Sequence, residues 1–482
     1  MSQTNEIPPD QGALIDGKRR LYDDTFAVED PSTEEELATV PDVGSAGVDQ
    51  AIEAAQRAQR EWMDLPATER GRLLFELADT IRAERNRLAE IETRETGRPL
   101  SDSVGQMFGT AKYYEYAAGM TDKIEGKQIP IVGEGTYLDY TLRVPYGVTA
   151  HIIPWNASAV LAARSFAPAL AAGNSIVAKA PSNAPLSLLA IADLFAEVGF
   201  PPGLVNVVTG SGSRVGQPLI HDSRVRFVEF TGSTETGKGV MQSAAENVIP
   251  VHLELGGKGA NIIFEDAPID DAVESIISSF ANAGQICFAP TRIFVHESIY
   301  DDVTSKAVKR AESMSIGPGI DDPDMGPVIS SQAQQTVANY VDSAVNNGAN
   351  VLTGGMIPRE TGHFYAPTLI DDVADTDPIA CEEVFGPVFT VHSFSSTSEA
   401  VRRANDTPYG LNNLVWTNDL SRAHLVAAEL QSGTVMINDY PILSPAAVSG
   451  GFKESGIGRT KGIQAIESFT ETKNVVISLD DH

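Results

Sequence analysis

The stretch Val205–Gly237, VNVVTGSGSRVGQPLIHDSRVRFVEFTGSTETG, decides the fold class because it contains the same unit twice. In each unit a short apolar run, Val205–Thr209 or Phe227–Phe230, ends in glycine and hydroxyl residues that can open a helix. Apolar strands that alternate with helices are typical of a parallel, doubly wound α/β sheet. The sequence therefore predicts such a sheet in this part of the chain.

The same alternation continues on both sides of this stretch and falls into two series, one from Val148 to Gly257 and one from Asn261 onward. Further strands are predicted at Val148–Ile153, Ser175–Ala178, Ile262–Phe264, Thr291–Val295, Val388–Val391 and Val435–Asn438. Helices are predicted at Leu186–Val198, Asp301–Met314, Ser331–Asn347, Ser398–Ala404 and Ser421–Leu430. Two series of this kind indicate two α/β domains.

The chain before the first series has a different pattern. The polar segment up to about Asp42 is expected to wrap the surface as extended pieces. Three amphipathic helical runs follow, at Val48–Trp62, Glu69–Thr96 and Ser103–Ala118. Alternating residues then predict strands joined by a polar turn within Thr136–Val148, and another strand at Thr470–Leu479. These segments could form a small extra sheet whose edges a neighbouring subunit covers.

Charge and composition exclude several classes of protein. The 482 residues carry 65 acidic against 35 basic side chains, a formal charge of −30 that opposes binding to nucleic acids or an anionic membrane. The polar start Met1–Asp10 does not resemble a signal peptide, and no apolar run is long enough to span a membrane, so a cytoplasmic protein is expected. The acidic surface suggests a salt-rich, halophilic cytoplasm, with an ordinary acidic soluble protein as the alternative.

Two cysteines, Cys287 and Cys381, are expected to be free thiols. Cys287 lies in Ala281–Pro290, ANAGQICFAP, just after a helix-like run, Asp271–Phe280, that breaks at a turn. A cysteine in this setting is either a buried small hydrophobic residue or a nucleophile. The eight histidines form no close set of ligands with cysteine or carboxylate residues, so no metal site is predicted.

Two glycine-rich turns indicate a nucleotide site. Gly212 and Gly216 belong to a G-x-G-x-x-x-G turn, and Thr231, Gly232 and Ser233 form a second turn, each where backbone amides can approach a phosphate. Lys179 would place a cation at the same edge of the sheet, although a solvated lysine is the alternative.

Glu254 is set among leucines before a glycine pair. It is therefore either a general base or a carboxylate paired with Lys258 or a backbone amide.

Six motifs follow one another along the chain: Pro154-Trp155-Asn156, Phe230–Gly237, Glu254–Lys258, Gly284–Cys287, Glu382–Pro387 and Gly450–Gly456. In order and spacing they resemble the aldehyde dehydrogenase superfamily, from about residue 20 to residue 478. The resemblance implies that Cys287 attacks the aldehyde carbon, that Asn156 and the Cys287 backbone amide hold the oxyanion, and that Glu254 activates water. It also implies NAD or NADP as cofactor, bound by Trp155, Lys179, Ser182, Gly212, Gly216, Thr231, Gly232, Ser233, Glu383 and Phe385.

The resemblance also assigns the domains. It implies a cofactor-binding domain of residues 1–125 and 147–255 and a catalytic domain of residues 256–463. Residues 126–146 and 464–482 would be oligomerisation strands of a homodimer or homotetramer.

Some positions depart from the commoner family pattern. Ser182 stands where many NAD-preferring relatives carry glutamate, which removes repulsion of a 2′-phosphate and permits NADP. Arg164 stands where relatives that oxidise succinic semialdehyde carry arginine, so a short semialdehyde acid is the expected substrate. The alternatives are an Arg164 that pairs with a nearby acid, an uncharged or aromatic aldehyde as substrate, and a catalytically silent member of the fold. Ala157-Ser158 and Asn412-Asn413 suggest a roomier or more polar channel.

Overall fold

The computed structural model describes residues 7–9, 11–133, 135–441 and 444–479. Most of the polar start, as well as the acidic pair Asp480-Asp481, lies outside the described residues. The strands are β1 (Ala13–Ile15), β2 (Lys18–Arg20), β3 (Thr25–Asp30), β4 (Glu35–Pro41), β5 (Gln128–Ile129), β6 (Tyr137–Pro145), β7 (Val148–Ile152), β8 (Ser175–Lys179), β9 (Val205–Val208), β10 (Val225–Thr231), β11 (Val251–Glu254), β12 (Ala260–Ile263), β13 (Arg292–His296), β14 (Asn350–Thr353), β15 (Thr368–Asp371), β16 (Val388–Phe394), β17 (Asn412–Trp416), β18 (Thr434–Ile437), β19 (Gly456–Ile457) and β20 (Thr470–Ser478).

The helices cover the sheets and carry most of their apolar contacts. They are α1 (Gly44–Asp64), α2 (Ala67–Ala83), α3 (Arg85–Thr96), α4 (Leu100–Ala118), α5 (Ser158–Ala171), α6 (Leu186–Val198), α7 (Gln217–His221), α8 (Thr234–Ala245), α9 (Ile269–Ser278), α10 (Tyr300–Glu312), α11 (Ser331–Asn346), α12 (Pro378–Cys381), α13 (Thr397–Asn405), α14 (Leu420–Glu429) and α15 (Gly462–Ser468). The predicted helix Leu186–Val198 has the same bounds as α6. Among the described residues, no helix is both long and apolar enough to cross a bilayer.

The first sheet has the strand order β19-β11-β10-β7-β8-β9-β1-β2. Strands β11, β10, β7, β8 and β9 are parallel, with antiparallel strands at both edges. In the parallel part Thr231 pairs with Glu254, and Ile152 pairs with Lys179. The carboxyl ends of these strands therefore meet at one edge, where ligands bind in open α/β sheets.

The second sheet has the order β14-β15-β16-β13-β12-β17-β18 and is parallel except for β14. Its strands are mostly buried because α9 and α10 cover one face and α13 and α14 the other. The two parallel sheets confirm the predicted α/β fold class with two doubly wound units.

A third, antiparallel sheet has the order β20-β6-β5. Strands β6 and β20 pair along their full length, from Thr470 with Pro145 to Ser478 with Tyr137. The structure therefore contains the small extra sheet that the sequence suggested. Apolar side chains on both strands are exposed to solvent, among them Leu142 and Val476.

Three local predictions were wrong. The run Glu69–Thr96 is two helices, because Glu84 (φ −87°, ψ 3°) leaves helical geometry between α2 and α3 without a glycine or proline to mark the break. The segment before Asp42 does not only wrap the surface, since β1 is fully buried and pairs with β9 inside the first sheet. Within Thr136–Val148, residues Tyr137–Pro145 form one uninterrupted strand, β6, and no turn divides it; β7 begins at Val148.

Candidate active site

A cavity of about 170 Å³ lies between the two parallel sheets. The side chains that line it include Asn156, Arg164, Glu254, Cys287 and Lys461. Asn156 follows the carboxyl end of β7, Glu254 is the last residue of β11, and Cys287 lies in the loop before β13. The structure therefore brings the three predicted catalytic residues, together with Arg164, to one cavity.

The loop that carries Cys287 has an unusual backbone. Asn282, Ala283 and Gly284 have φ angles of 51°, 53° and 69°, and a Cβ atom on Gly284 would lie 2.2 Å from the Gly386 carbonyl oxygen. Residues other than glycine rarely adopt such φ angles, and these angles persist only where the surrounding structure enforces them. The break after α9 is thus a tightly enforced turn that presents Cys287 at the cavity.

Cys287 is partly exposed and forms no disulfide, as is also true of Cys381. Burial of the thiol raises the pKa of Cys287 to about 12, although the positive charge of Arg164 opposes the shift. The free thiol is therefore protonated at neutral pH and needs a base before it can act as a nucleophile.

Close contacts explain why glycine occupies positions 256 and 257 after Glu254. A Cβ atom on Gly257 would lie 2.3 Å from the Cys287 carbonyl oxygen, and one on Gly256 would lie 2.2 Å from Glu383 Oε2. The Gly257 amide donates a hydrogen bond of 3.0 Å to Glu383 Oε1. Burial raises the pKa of Glu383 to about 7. Only residues without a side chain allow the cysteine loop and Glu383 to approach this strand end so closely.

Asn156 is held in place by three hydrogen bonds. Its Nδ2 donates to the Gln285 carbonyl oxygen at 2.9 Å. Its own carbonyl oxygen accepts from Arg98 Nη2 at 2.7 Å and from Asn282 Nδ2 at 3.1 Å. A side-chain amide has two N–H donors, so one donor anchors Asn156 to the cysteine loop and the other is left for a group in the cavity.

Glu254 is buried and has two partners. Oε1 accepts a hydrogen bond of 3.2 Å from Thr460 Oγ1, and Oε2 lies 3.8 Å from Arg164 Nη1. Lys258, the partner considered from the sequence, instead donates to the Ile379 carbonyl oxygen at 2.8 Å. The acid beside Arg164 is therefore Glu254 itself, so the arginine both lines the cavity and pairs with a carboxylate.

Lys179 ends β8 and is largely buried. Burial lowers the pKa of Lys179 to about 8, while Asp42 opposes the shift. Its Nζ lies 3.5 Å from Ser182 Oγ, which in turn donates to the Gly210 carbonyl oxygen at 3.2 Å. The predicted pair Lys179 and Ser182 is thus in contact, and the lysine is not a freely solvated side chain.

The second glycine turn lies at the end of β10. Thr231 Oγ1 accepts from Arg164 Nη2 at 3.1 Å, and the Gly232 amide donates to the Glu254 carbonyl oxygen at 3.0 Å. Ser233 is exposed and caps α8, accepting a hydrogen bond from the Thr236 amide. This turn therefore joins the cavity to the amino terminus of α8.

The first glycine turn is less constrained. Gly212–Gly216 forms a short π-helical turn that leads into α7. A Cβ atom on Gly212 or Gly216 would meet nothing within 4 Å. Contacts within the protein thus do not require glycine at either position, in contrast to Gly256 and Gly257.

Two aromatic residues of the cofactor set are in contact. The rings of Trp155 and Phe385 meet edge to face with centroids 5.5 Å apart. Phe385, two residues after Glu383, has a φ of 53°, a backbone angle that residues other than glycine rarely adopt.

The predicted channel residues divide into two groups. Ala157 and Asn412 line the cavity. Ser158 is buried and donates to the Ala184 carbonyl oxygen at 2.9 Å, and Asn413 bonds to the Ala260 amide and to Ser432. The side chains of Ser158 and Asn413 therefore bond within the protein, and of these four residues Asn412 is the polar one that lines the cavity.

The residues that were missed from the sequence include Arg98 and Lys461, which line the cavity, and Thr460, which bonds to Glu254. Arg98, Thr460 and Lys461 are far from Cys287 along the chain, and none belongs to a motif whose spacing suggests a contact. The only signal was the position of Thr460 and Lys461 directly after the glycine-rich run near Gly456. No group of three or more His, Cys, Asp or Glu side chains among the described residues is placed to hold a metal ion.

Comparison with known proteins gives the family. Residues 20–475 match the model of the aldehyde dehydrogenase family. The chain is 40% identical over 455 residues to a betaine aldehyde dehydrogenase of Bacillus subtilis, covering 92% of both chains. A Bacillus cereus aldehyde dehydrogenase solved as its NAD+ complex is 40% identical with a TM-score of 0.96, covering 98% of this chain and 97% of that one. A Staphylococcus aureus betaine aldehyde dehydrogenase, also solved with NAD+, is 37% identical with a TM-score of 0.95, covering 98% and 96%. The protein therefore belongs to the aldehyde dehydrogenase family.

Proposed function

We propose that the protein oxidises an aldehyde to a carboxylic acid through a thioester on Cys287, with NAD or NADP as the hydride acceptor. The observation that carries this proposal is the convergence of Cys287, Glu254 and Asn156 on one cavity. These residues supply a nucleophile, a base and a hydrogen-bond donor, which are the groups that acyl chemistry at an aldehyde carbon requires.

The first half of the reaction forms a covalent adduct. After the Cys287 thiol gives its proton to solvent water, Sγ forms a bond to the aldehyde carbon, and the carbonyl electron pair moves to oxygen. The resulting oxyanion is held by the free N–H of Asn156 Nδ2 and by the Cys287 backbone amide. When bound, the nicotinamide would supply the acceptor for the hydride that this thiohemiacetal loses as the carbonyl bond re-forms. The product is a thioester on Cys287.

The second half releases the acid. Glu254 takes a proton from a water molecule, whose oxygen attacks the thioester carbon. The C–S bond breaks, the electron pair returns to sulfur, and the carboxylic acid leaves. Arg164 and Thr460 hold the Glu254 carboxylate from both oxygens, which fixes its direction in the cavity.

The residues at the edge of the first sheet fit a dinucleotide. Lys179 is a largely buried cation whose Nζ has, among the described residues, only the distant Ser182 hydroxyl as a hydrogen-bond acceptor, so it is available to ribose hydroxyls. Ser233 and the exposed start of α8 offer backbone amides to a pyrophosphate. Glu383 offers a carboxylate to the nicotinamide ribose beside Trp155 and Phe385. The open space at Gly212 and Gly216 leaves room for the cofactor, and the absence of an acid at Ser182 permits NADP.

A short semialdehyde acid is the proposed substrate. Arg164 is a cation in the wall of the cavity, and a guanidinium group can bind a distal carboxylate in a bidentate manner. The test compares succinic semialdehyde with butanal, which has the same chain length and no charge. We expect Arg164→Leu to raise KM for succinic semialdehyde by roughly tenfold to a hundredfold, the value of one charge-assisted hydrogen bond. An unchanged KM excludes this role for Arg164.

The rival substrates are uncharged or aromatic aldehydes, and the rival class is a catalytically silent member of the fold. Reduction of NAD or NADP by a panel of aldehydes, with Cys287→Ala as control, separates the three. Equal rates with charged and uncharged aldehydes favour the first rival, and no reduction with any aldehyde favours the second.

We further propose that residues 1–125 and 147–255 bind the cofactor and that residues 256–463 form the catalytic domain of a cytoplasmic enzyme. Residues 126–146 and 464–482 would join subunits of a homodimer or homotetramer, since apolar side chains of the third sheet are exposed. Light scattering on a Leu142→Asp, Val476→Asp variant tests this assignment, because a smaller assembly than that of the native protein is expected.

A further inference from the structure

Lys461 is a second cation in the wall of the cavity, and the catalytic steps above do not use it. It lines the cavity together with Arg164 and Cys287. Among the described residues no carboxylate forms an ion pair with it. A partly buried ammonium group without an acid partner is costly unless a ligand supplies the negative charge.

The backbone holds Lys461 in a conformation that favours glycine. Its φ and ψ angles are 64° and 170°, a region that residues with a side chain occupy only when their surroundings enforce it. Thr460 exchanges two backbone hydrogen bonds with Ser449, and the Gly462 amide donates to the Pro445 carbonyl oxygen at 2.8 Å. The residues on both sides of Lys461 are thus hydrogen-bonded to the segment 445–449, part of which lines the cavity. These bonds maintain the backbone strain at Lys461.

Arg164 is less free than Lys461 to neutralise an anion. Its Nη1 faces Glu254, and its Nη2 donates to Thr231 Oγ1. Arg98, the third cation of the wall, donates to the Asn156 carbonyl oxygen. Three cations therefore surround a cavity in which Glu254 is the only acid among the described lining residues, and Lys461 carries the positive charge with no protein partner.

We infer that Lys461 is a specificity-determining residue that binds the distal carboxylate of an anionic aldehyde together with Arg164. This inference rests on the proposed oxidation of a semialdehyde acid at the same cavity. In this arrangement Arg164 offers one edge of its guanidinium group to the distal carboxylate of the substrate. Lys461 supplies the positive charge that balances the negative charge of this carboxylate.

The charge on Lys461 also gives the cavity a pH dependence. Burial, with a smaller effect of the Arg164 charge, lowers the pKa of Lys461 to about 8, while Glu254 and Cys287 oppose the shift. The ammonium form is therefore present at pH 7 and is lost as pH rises through about 8. The preference for a carboxylated aldehyde over an uncharged one is expected to fall over the same range.

The experiment uses the full-length protein with succinic semialdehyde and butanal at saturating cofactor. We expect Lys461→Met to raise KM for succinic semialdehyde about tenfold while kcat and the butanal KM stay within about twofold. Lys461→Arg, which keeps the charge, should restore most of the affinity. The ratio of kcat/KM for the two aldehydes should fall between pH 7 and pH 9.5 in the native protein and stay flat in Lys461→Met.

Normal turnover of butanal shows that Lys461→Met is folded. An equal change for both aldehydes in Lys461→Met, or a flat ratio in the native protein, overturns the role of Lys461. If Arg164→Leu raises KM for succinic semialdehyde but Lys461→Met does not, this inference fails while the proposed substrate class stands. If the native protein itself does not prefer succinic semialdehyde, the substrate class and the inference both fail.

Discussion

Arg164 Nη1 lies 3.8 Å from Glu254 Oε2, and only 8% and 4% of these side chains are exposed. The pair joins α5 to the end of β11 in the wall of the cavity. Burial is the largest single influence and lowers the pKa of Arg164, but Glu254 together with Tyr113, Cys287 and Glu229 outweighs it, so the pKa is raised. The Glu254 carboxylate therefore helps to stabilise the charged form of Arg164.

The pair predicts non-additive effects on stability. Arg164→Met should lower the free energy of unfolding by roughly 3 kcal/mol, because it leaves a buried carboxylate without its cation. In a Glu254→Gln background the same change should cost less by about 1 to 3 kcal/mol. Thermal unfolding of the two single variants and the double variant measures the coupling. Effects that add to within about 0.5 kcal/mol would show that the pair is not coupled.

The buried thiol predicts slow alkylation. In a Cys381→Ser background, which leaves Cys287 as the only cysteine, the rate of reaction with iodoacetamide should keep rising with pH up to at least about pH 10. The cause is burial, which raises the pKa of Cys287 to about 12 and keeps it protonated. Mass spectrometry follows the reaction, and the variant in which both Cys287 and Cys381 are replaced by serine is the control. A rate that levels off near pH 8 would mean that the thiol is already activated in the free protein.

Ser182 predicts how the cofactors are discriminated. Ser182→Glu would place a carboxylate beside Lys179, whose Nζ lies 3.5 Å from the present hydroxyl. That carboxylate would repel a 2′-phosphate, so kcat/KM for NADP should fall roughly tenfold or more while that for NAD changes little. Ser182→Gln, which has similar size and no charge, is the matched control. Equal losses for both cofactors would assign the effect to size alone.

The formal charge of −30 predicts a stability that depends on salt. Repulsion between surface acids is screened over a distance of about 10 Å at 0.1 M ionic strength and about 3 Å at 1 M. The melting temperature should therefore rise between low and molar sodium chloride. A melting temperature that is constant or falls over this range would contradict the hypothesis of a salt-rich cytoplasm.

The sequence predicted the parts of the fold that local chemistry determines. Apolar runs that end in glycine and hydroxyl residues located the strand ends, and α6 was predicted with its observed bounds. The carboxyl ends of parallel strands necessarily share an edge, so the convergence of Asn156, Lys179 and Glu254 followed from the fold class.

The rest depends on contacts between residues that are far apart along the chain. No local pattern indicates that Arg164 pairs with Glu254 or that Lys461 reaches the same cavity. The break at Glu84 was missed because neither glycine nor proline marks it, and the burial of β1 was missed because its three residues pair with a strand far along the chain. These features arise from tertiary packing, which overrides local preference.

A single-turnover experiment on Glu254→Gln tests most directly whether Glu254 activates the water that hydrolyses a thioester on Cys287. With succinic semialdehyde and NAD or NADP, this variant should release about one equivalent of reduced nucleotide per active site and then slow by roughly 10²- to 10⁴-fold. Mass spectrometry should find the acyl group on the peptide that contains Cys287, and Cys287→Ser should show neither signal. Full turnover by Glu254→Gln, with no acyl group on Cys287, would contradict the account.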